Sequence, residues 1–97
     1  VLGVFTEVKD VKLADGVRAR HHSYLGDATI GRHVNIGAGS ITANFDGQTI
    51  NQTTVGDDCY IGSGAVLIAP LVLPSGAHVG AGTVVSQENV DEPTKKP

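Results

Sequence analysis

The sequence predicts an all-β solenoid, a single-stranded parallel β-helix with one loop protruding from its wall. Three observations lead there. Aliphatic residues recur with a period of six, glycines and β-branched residues stand where a layered core would have bulky ones, and one stretch breaks the period.

The period is cleanest downstream. Val55, Ile61, Leu67, Leu73, Val79 and Val85 are spaced six apart without a slip. Four places after them come Cys59, Ala65, Leu71, Ala77, Thr83 and Asn89, mostly small. Upstream the register reads Leu13, Ala19 and Leu25, then Ile30 and Ile36 after one five-residue step, with Val17, Ser23, Val34 and Ser40 as small partners. Six matches neither a helix nor a simple alternating strand, but it fits a short strand and a tight turn, repeated. Each small residue lies two places before the next aliphatic, and residues two apart on a strand share a face, so both point inward. Three steps close a triangular coil of eighteen residues. Gly31, Gly37, Gly56, Gly62 and Gly80 follow aliphatics directly, where we expect turns that need φ > 0. Such glycine density, with so many β-branched residues, excludes helices.

From Ile36 to Val55 is nineteen residues, one more than a full coil. Within it the segment 44–52 leaves the pattern and carries Asp46-Gly47, a turn signal. We expect a protruding loop there, on a scaffold of residues 1–91, with a flexible tail at 92–97. Loops on rigid scaffolds are where function concentrates.

Composition narrows the function. The chain has no Trp, no Met and thirteen glycines, and Cys59 is its only cysteine, so disulfides cannot stabilise it. A small domain without cross-links gains stability by association. A formal charge of −3 argues against a binder of nucleic-acid backbone. No apolar run approaches the roughly 20 residues that cross a bilayer, and the opening is too short for a signal core, so the expectation is a cytoplasmic protein with no membrane partner. The start without Met reads as a piece of something longer.

Residues 5–82 resemble the acetyltransferase domain of the GlmU family. The resemblance is carried by Glu7-Val8-Lys9, by His21-His22-Ser23-Tyr24-Leu25-Gly26-Asp27-Ala28, by the run from Asn35-Ile36-Gly37 to Asn44-Phe45-Asp46-Gly47, and by Val55-Gly56-Asp57-Asp58. It implies a left-handed coil, which the period itself does not determine, since parallel crossovers are normally right-handed. It also implies a transferase that moves an acetyl group from acetyl-CoA, as co-substrate, to the amine of glucosamine 1-phosphate, in cell wall precursor biosynthesis. His21 matches the family's general base, a role suited to imidazole, and His22 does not. Lys9, Tyr24, Asn35 and Asn44 match residues that bind the sugar phosphate. Ala38, Ser63 and Ala81 match contacts to acetyl-CoA. The resemblance further implies a homotrimer with its sites between subunits. The γ-class carbonic anhydrases share this fold and hold zinc through three histidines, but positions 21, 22, 33 and 78 lack that spacing, so no metal is expected.

The match is incomplete. Ile50 stands where the family has a substrate-holding lysine, Phe45 where it has a tyrosine, and no Lys or Arg occurs from 34 to 89. The family's phosphate-binding arginine lies one coil before this chain starts, and an arginine near the coenzyme would fall past Pro97, with Lys95 or Lys96 as the available substitutes. The resemblance covers the acetyltransferase domain alone, so no uridylyltransferase activity is expected from this chain. Charge-assisted hydrogen bonds contribute about 1.5–3 kcal/mol each, so a site without those two cations is expected to bind the phosphate more weakly by orders of magnitude. Two further readings follow: an acyltransferase with a different amine acceptor, or a truncated, non-catalytic module for trimerisation or binding.

Overall fold

The computed structural model describes residues 1–90; the expected tail at 92–97 lies outside them. Twelve strands and no helix make up this part. They are β1 (Leu2–Val4), β2 (Glu7–Leu13), β3 (Arg18–His21), β4 (Tyr24–Ile30), β5 (Asn35–Ile36), β6 (Ile41–Ala43), β7 (Thr53–Val55), β8 (Tyr60–Ile61), β9 (Val66–Ile68), β10 (Leu71–Leu73), β11 (His78–Val79) and β12 (Val84–Val85).

All strand pairings are parallel and link each strand to its counterpart one coil away. The first face stacks β1, β3, β5, β8 and β11. The second stacks the start of β2, the start of β4, then β6, β9 and β12. The third stacks the ends of β2 and β4, then β7 and β10. The result is a parallel β-helix of three faces.

The six-residue period is the core. Ala19, Ile36, Ile61 and Val79 form an inward ladder on the first face, Leu25, Thr42, Leu67 and Val85 on the second, and Ile30, Val55 and Leu73 on the third, all buried. Their small partners Val17, Ser23, Val34, Ser40, Cys59 and Ala65 are buried as well. The two buried serine hydroxyls donate to backbone carbonyls of the next coil, Ser23 to Gly37 at 3.3 Å and Ser40 to Gly62 at 2.9 Å. Leu13 is exposed because no coil lies beneath the first one among the described residues.

Two details of the periodicity are corrected. The glycines after the aliphatics do not have positive φ. At Gly37 and Gly62 a Cβ would instead meet the backbone nitrogen of Ser63 or Ala81, 2.5 Å away, so glycine is required by close approach of the next coil. Positive φ falls two residues later, at Gly39, Gly64 and Gly82, and at Asp58 and His33. The interruption is also longer than the spacing suggested. Register advances 25 residues from Ile41 to Val66 but 18 from Val66 to Val84, so seven residues are inserted. Ile36 and Val55 are two faces apart rather than three, which hid six of the seven.

The five-residue step from Leu25 to Ile30 has a local cause. β4 runs unbroken from the second face to the third, and Asp27 turns that corner with φ 49°. Asp10 does the same in β2, with φ 53°. One coil above, this corner carries the insertion.

Candidate functional site

Four of the residues singled out by resemblance occupy one equivalent position in successive coils. His21, Ala38, Ser63 and Ala81 each lie two places after an inward residue of the first face, at the corner leading to the second. Backbone bonds tie the column together: Gly39 N donates to His21 O at 3.3 Å, Gly64 N to Ala38 O at 2.8 Å, and Gly82 N to Ser63 O at 2.8 Å. All four are exposed. With coils about 4.8 Å apart, the column is a strip some 14 Å long. Its lower end carries an imidazole and its upper three places carry small side chains.

Beside the foot of this column lies a groove of about 810 Å³, lined by Phe5, Thr6, Glu7, His22, Ser23, Tyr24, Gly39 and Ile41. His22 lines it and His21 does not. β3 ends at His21, and His22 sits in the turn that follows, with φ 49°.

The second group gathers around Gly26. Tyr24, Leu25, Gly26 and Asp27 divide their tasks: Leu25 fills the core, Tyr24 lies over the outer surface, Gly26 leaves room, and Asp27 turns the corner. Asn44, half-buried at the start of the insertion, donates through Nδ2 to Asp27 Oδ2 at 2.7 Å and to Tyr24 Oη at 3.4 Å. Lys9, exposed, pairs in register with Gly26 and so borders this group. Asn35 stands apart on the first face, between Arg18 and Tyr60. A single chain therefore brings Lys9, Tyr24 and Asn44 together and leaves Asn35 elsewhere. Gly26 and Asp27 had drawn no role from the sequence. The five-residue step was the signal that pointed to them.

The insertion is a closed turn. Asn51 N donates to Asn44 O at 2.7 Å, and Phe45 and Ile50 form an antiparallel bridge. Asp46 caps it, accepting from Gln48 N and Thr49 N, both at 2.8 Å, and from the Asn51 amide at 3.3 Å. These bonds, led by Thr49 N, hold the Asp46 carboxyl at about 2. Phe45 and Ile50 are 61% and 55% exposed, so the loop presents an apolar pair. Ile41, Ile68 and Val84 are also exposed, on the second face.

His33 Nδ1 lies 3.6 Å from Asp58 Oδ1 at an exposed corner, and His78 packs edge-on against Tyr60 with ring centroids 4.9 Å apart. Among the described residues no three His, Cys, Asp or Glu side chains form a metal-holding group, and no helix is long and apolar enough to cross a membrane. Burial pushes the Cys59 thiol above its usual range. It donates to Pro74 O at 3.2 Å, as an interior group.

Comparison with known proteins agrees with the geometry. The family described as "Hexapeptide repeat of succinyl-transferase" matches residues 52–87. "Bifunctional protein GlmU" of Methylibium petroleiphilum is 52% identical over 87 residues, covering 90% of this chain and 19% of that protein. The proteins of that name from Aromatoleum aromaticum and Xanthomonas campestris pv. campestris are 51% and 47% identical over the same shares. The chain thus spans about a fifth of the length of these relatives. By period, fold and sequence, the chain is a hexapeptide-repeat parallel β-helix, similar along 90% of its length to part of the GlmU proteins.

Proposed function

We propose that the chain is an acetyl-CoA-dependent N-acetyltransferase acting on an amino sugar phosphate such as glucosamine 1-phosphate, with His21 as general base. The observation that carries this reading is the alignment of His21 beneath Ala38, Ser63 and Ala81, three residues before Tyr24. In acyl transfer the amine nitrogen attacks the thioester carbonyl carbon, a base takes a proton from that nitrogen, and the carbon–sulfur bond breaks to release the coenzyme thiol. A strip of small side chains suits an extended coenzyme arm. An exposed imidazole at its foot suits the proton transfer. Lys9, Tyr24 and Asn44 supply one cation and several hydrogen-bonding groups at the adjoining corner.

The placement of Asn35 on a different face from Tyr24 and Asn44 favours a site completed by a second subunit. The exposed apolar side chains of the second face favour a homotrimer as its source. Sedimentation showing a monomer at micromolar concentration overturns the shared site.

A second reading is favoured by the loop. Phe45 and Ile50 offer no charge to a phosphate, and no Lys or Arg occurs from 34 to 89. That suits an acyltransferase with another amine acceptor, or a non-catalytic trimeric module. Thiol release from acetyl-CoA, measured with glucosamine 1-phosphate and a panel of other amines, separates the three. Release with the sugar phosphate that falls at least 100-fold in His21→Ala is expected. No release with any amine, or equal release from the variant, removes the enzyme reading.

A further inference from the structure

We infer that Asp27 is a positioning residue: its carboxylate fixes the side-chain amide of Asn44, and through it the hydroxyl of Tyr24. The acceptor-side role of Asn44 and Tyr24 rests on the acetyl-transfer reading above. The arrangement of the three side chains stands without it.

Asp27 is only 8% exposed, and among the described residues no Lys, Arg or His pairs with it. A buried carboxylate is costly unless hydrogen-bonded, and Asn44 Nδ2 at 2.7 Å is the side-chain donor it has. The carboxylate accepts and does not donate, so only the NH₂ end of the Asn44 amide can face it. That choice has two consequences. Asn44 Oδ1 is turned away from Asp27 and left as an acceptor. The second Nδ2 proton is directed at Tyr24 Oη, 3.4 Å away, which leaves the phenol proton to be donated outward.

The backbone is built around this triad. Asp27 reaches Asn44 because the shortened corner holds it at φ 49°, a conformation that Asp and Asn tolerate better than most residues. Gly26 provides the floor, since a Cβ there would collide with Tyr24 Oη and Asn44 Nδ2. Thr42 Oγ1 clamps that floor from the next coil, accepting from Gly26 N at 2.8 Å and donating to Gly26 O at 3.2 Å. Asn44 begins the insertion, so the same bond ties the loop's base to the wall. Asp27 thus presents to a polyhydroxylated amine one oriented acceptor and one oriented donor, without touching it.

Two variants and two readouts test this in the full chain. Asp27→Gly removes the carboxylate and keeps the left-handed backbone, while Asp27→Asn keeps a carbonyl acceptor for Asn44. The first readout is the Asn44 side-chain amide in a ¹H–¹⁵N spectrum, assigned by its loss in Asn44→Ser. One Nδ2 proton is expected downfield and protected from exchange in the native chain, and released in Asp27→Gly. An unprotected native signal, or one that Asp27→Gly leaves unchanged, overturns the inference. The native signal decides this even if Asp27→Gly does not fold. The second readout is kinetic. Asp27→Gly should raise the acceptor KM roughly 10-fold or more, with the acetyl-CoA KM within about 2-fold and Asp27→Asn within about 3-fold of native. Equal rises in both KM values, or an Asp27→Asn variant as impaired as Asp27→Gly, mark a merely structural role and overturn it. If the native chain transfers no acetyl group, the acetyl-transfer reading fails, and the amide signal still decides whether Asp27 holds Asn44.

Discussion

Replacing Gly37 by alanine sets a methyl group against the backbone of the next coil. The new Cβ would lie 2.5 Å from Ser63 N and 2.8 Å from both Gly62 C and Ser63 Cα. Ordinary contact begins near 3.4 Å, so about 0.9 Å must be found. No flexible side chain can yield it, because all three atoms are main chain. The coils are also held at fixed spacing by bonds such as Gly37 N to Ile61 O at 2.7 Å. Overpacking of this kind costs about 1–3 kcal/mol. Alanine returns about 0.4–1 kcal/mol by restricting the unfolded chain. The net expectation is a loss of about 1–2 kcal/mol, or roughly 5–15 °C in Tm for a chain of this size. Gly62→Ala repeats the experiment one coil higher, its Cβ 2.5 Å from Ala81 N. Gly47→Ala is the control: nothing lies within 4 Å of its Cβ, and its φ of 97° confines the strain to the loop. Thermal denaturation followed by circular dichroism, at matched protomer concentration, reads the result. An unchanged or raised Tm in both Gly37→Ala and Gly62→Ala refutes the coil spacing described here.

Three further outcomes are expected. Thr53 Oγ1 is buried in the core without a hydrogen-bond partner, so Thr53→Val should stabilise the chain by about 1–2 kcal/mol in urea denaturation; destabilisation would mean the hydroxyl is bonded after all. Asp46 has its carboxyl lowered from 3.8 to about 2 by the loop's own amides. Because the folded value is the lower one, its contribution to loop order is complete above about 4 and is lost as pH falls through about 2. The protection of the Gln48 and Thr49 amides, taken relative to the intrinsic exchange rate at each pH, should fall over that window and already be lost at neutral pH in Asp46→Ala; protection that persists in the variant contradicts the cap. Cys59, buried and with a raised thiol, should react with an aromatic disulfide reagent only at the rate of unfolding, and rapid labelling of the native chain would count against its place in the interior.

The columns were legible in the sequence because each inward position is dictated by a neighbour six residues away. Leu67, Leu73, Val79 and Val85 needed no knowledge of the far side of the molecule. The roles of Gly37 and Gly62 were not legible, because the clash that demands glycine comes from residues 63 and 81, on other coils. The length of the insertion was hidden for a related reason: a period of six marks faces, and only pairing between coils tells which face Val55 is on.

For the site, the family resemblance named His21, Tyr24 and Asn44 as single positions. Stacking decided which of them meet. It put His21 under Ala38, Ser63 and Ala81, because residues 17, 25 or 18 apart become vertical neighbours. It brought Asn44 onto Asp27 and Tyr24 through 2.7 and 3.4 Å contacts and left Asn35 on another face. What the sequence determined alone is the six-residue rhythm and hence the solenoid, since burial of one face per short strand is a local property. What the tertiary structure decided is the grouping of polar side chains around Gly26 and along the corner column, since those distances depend on how many residues each coil takes to return.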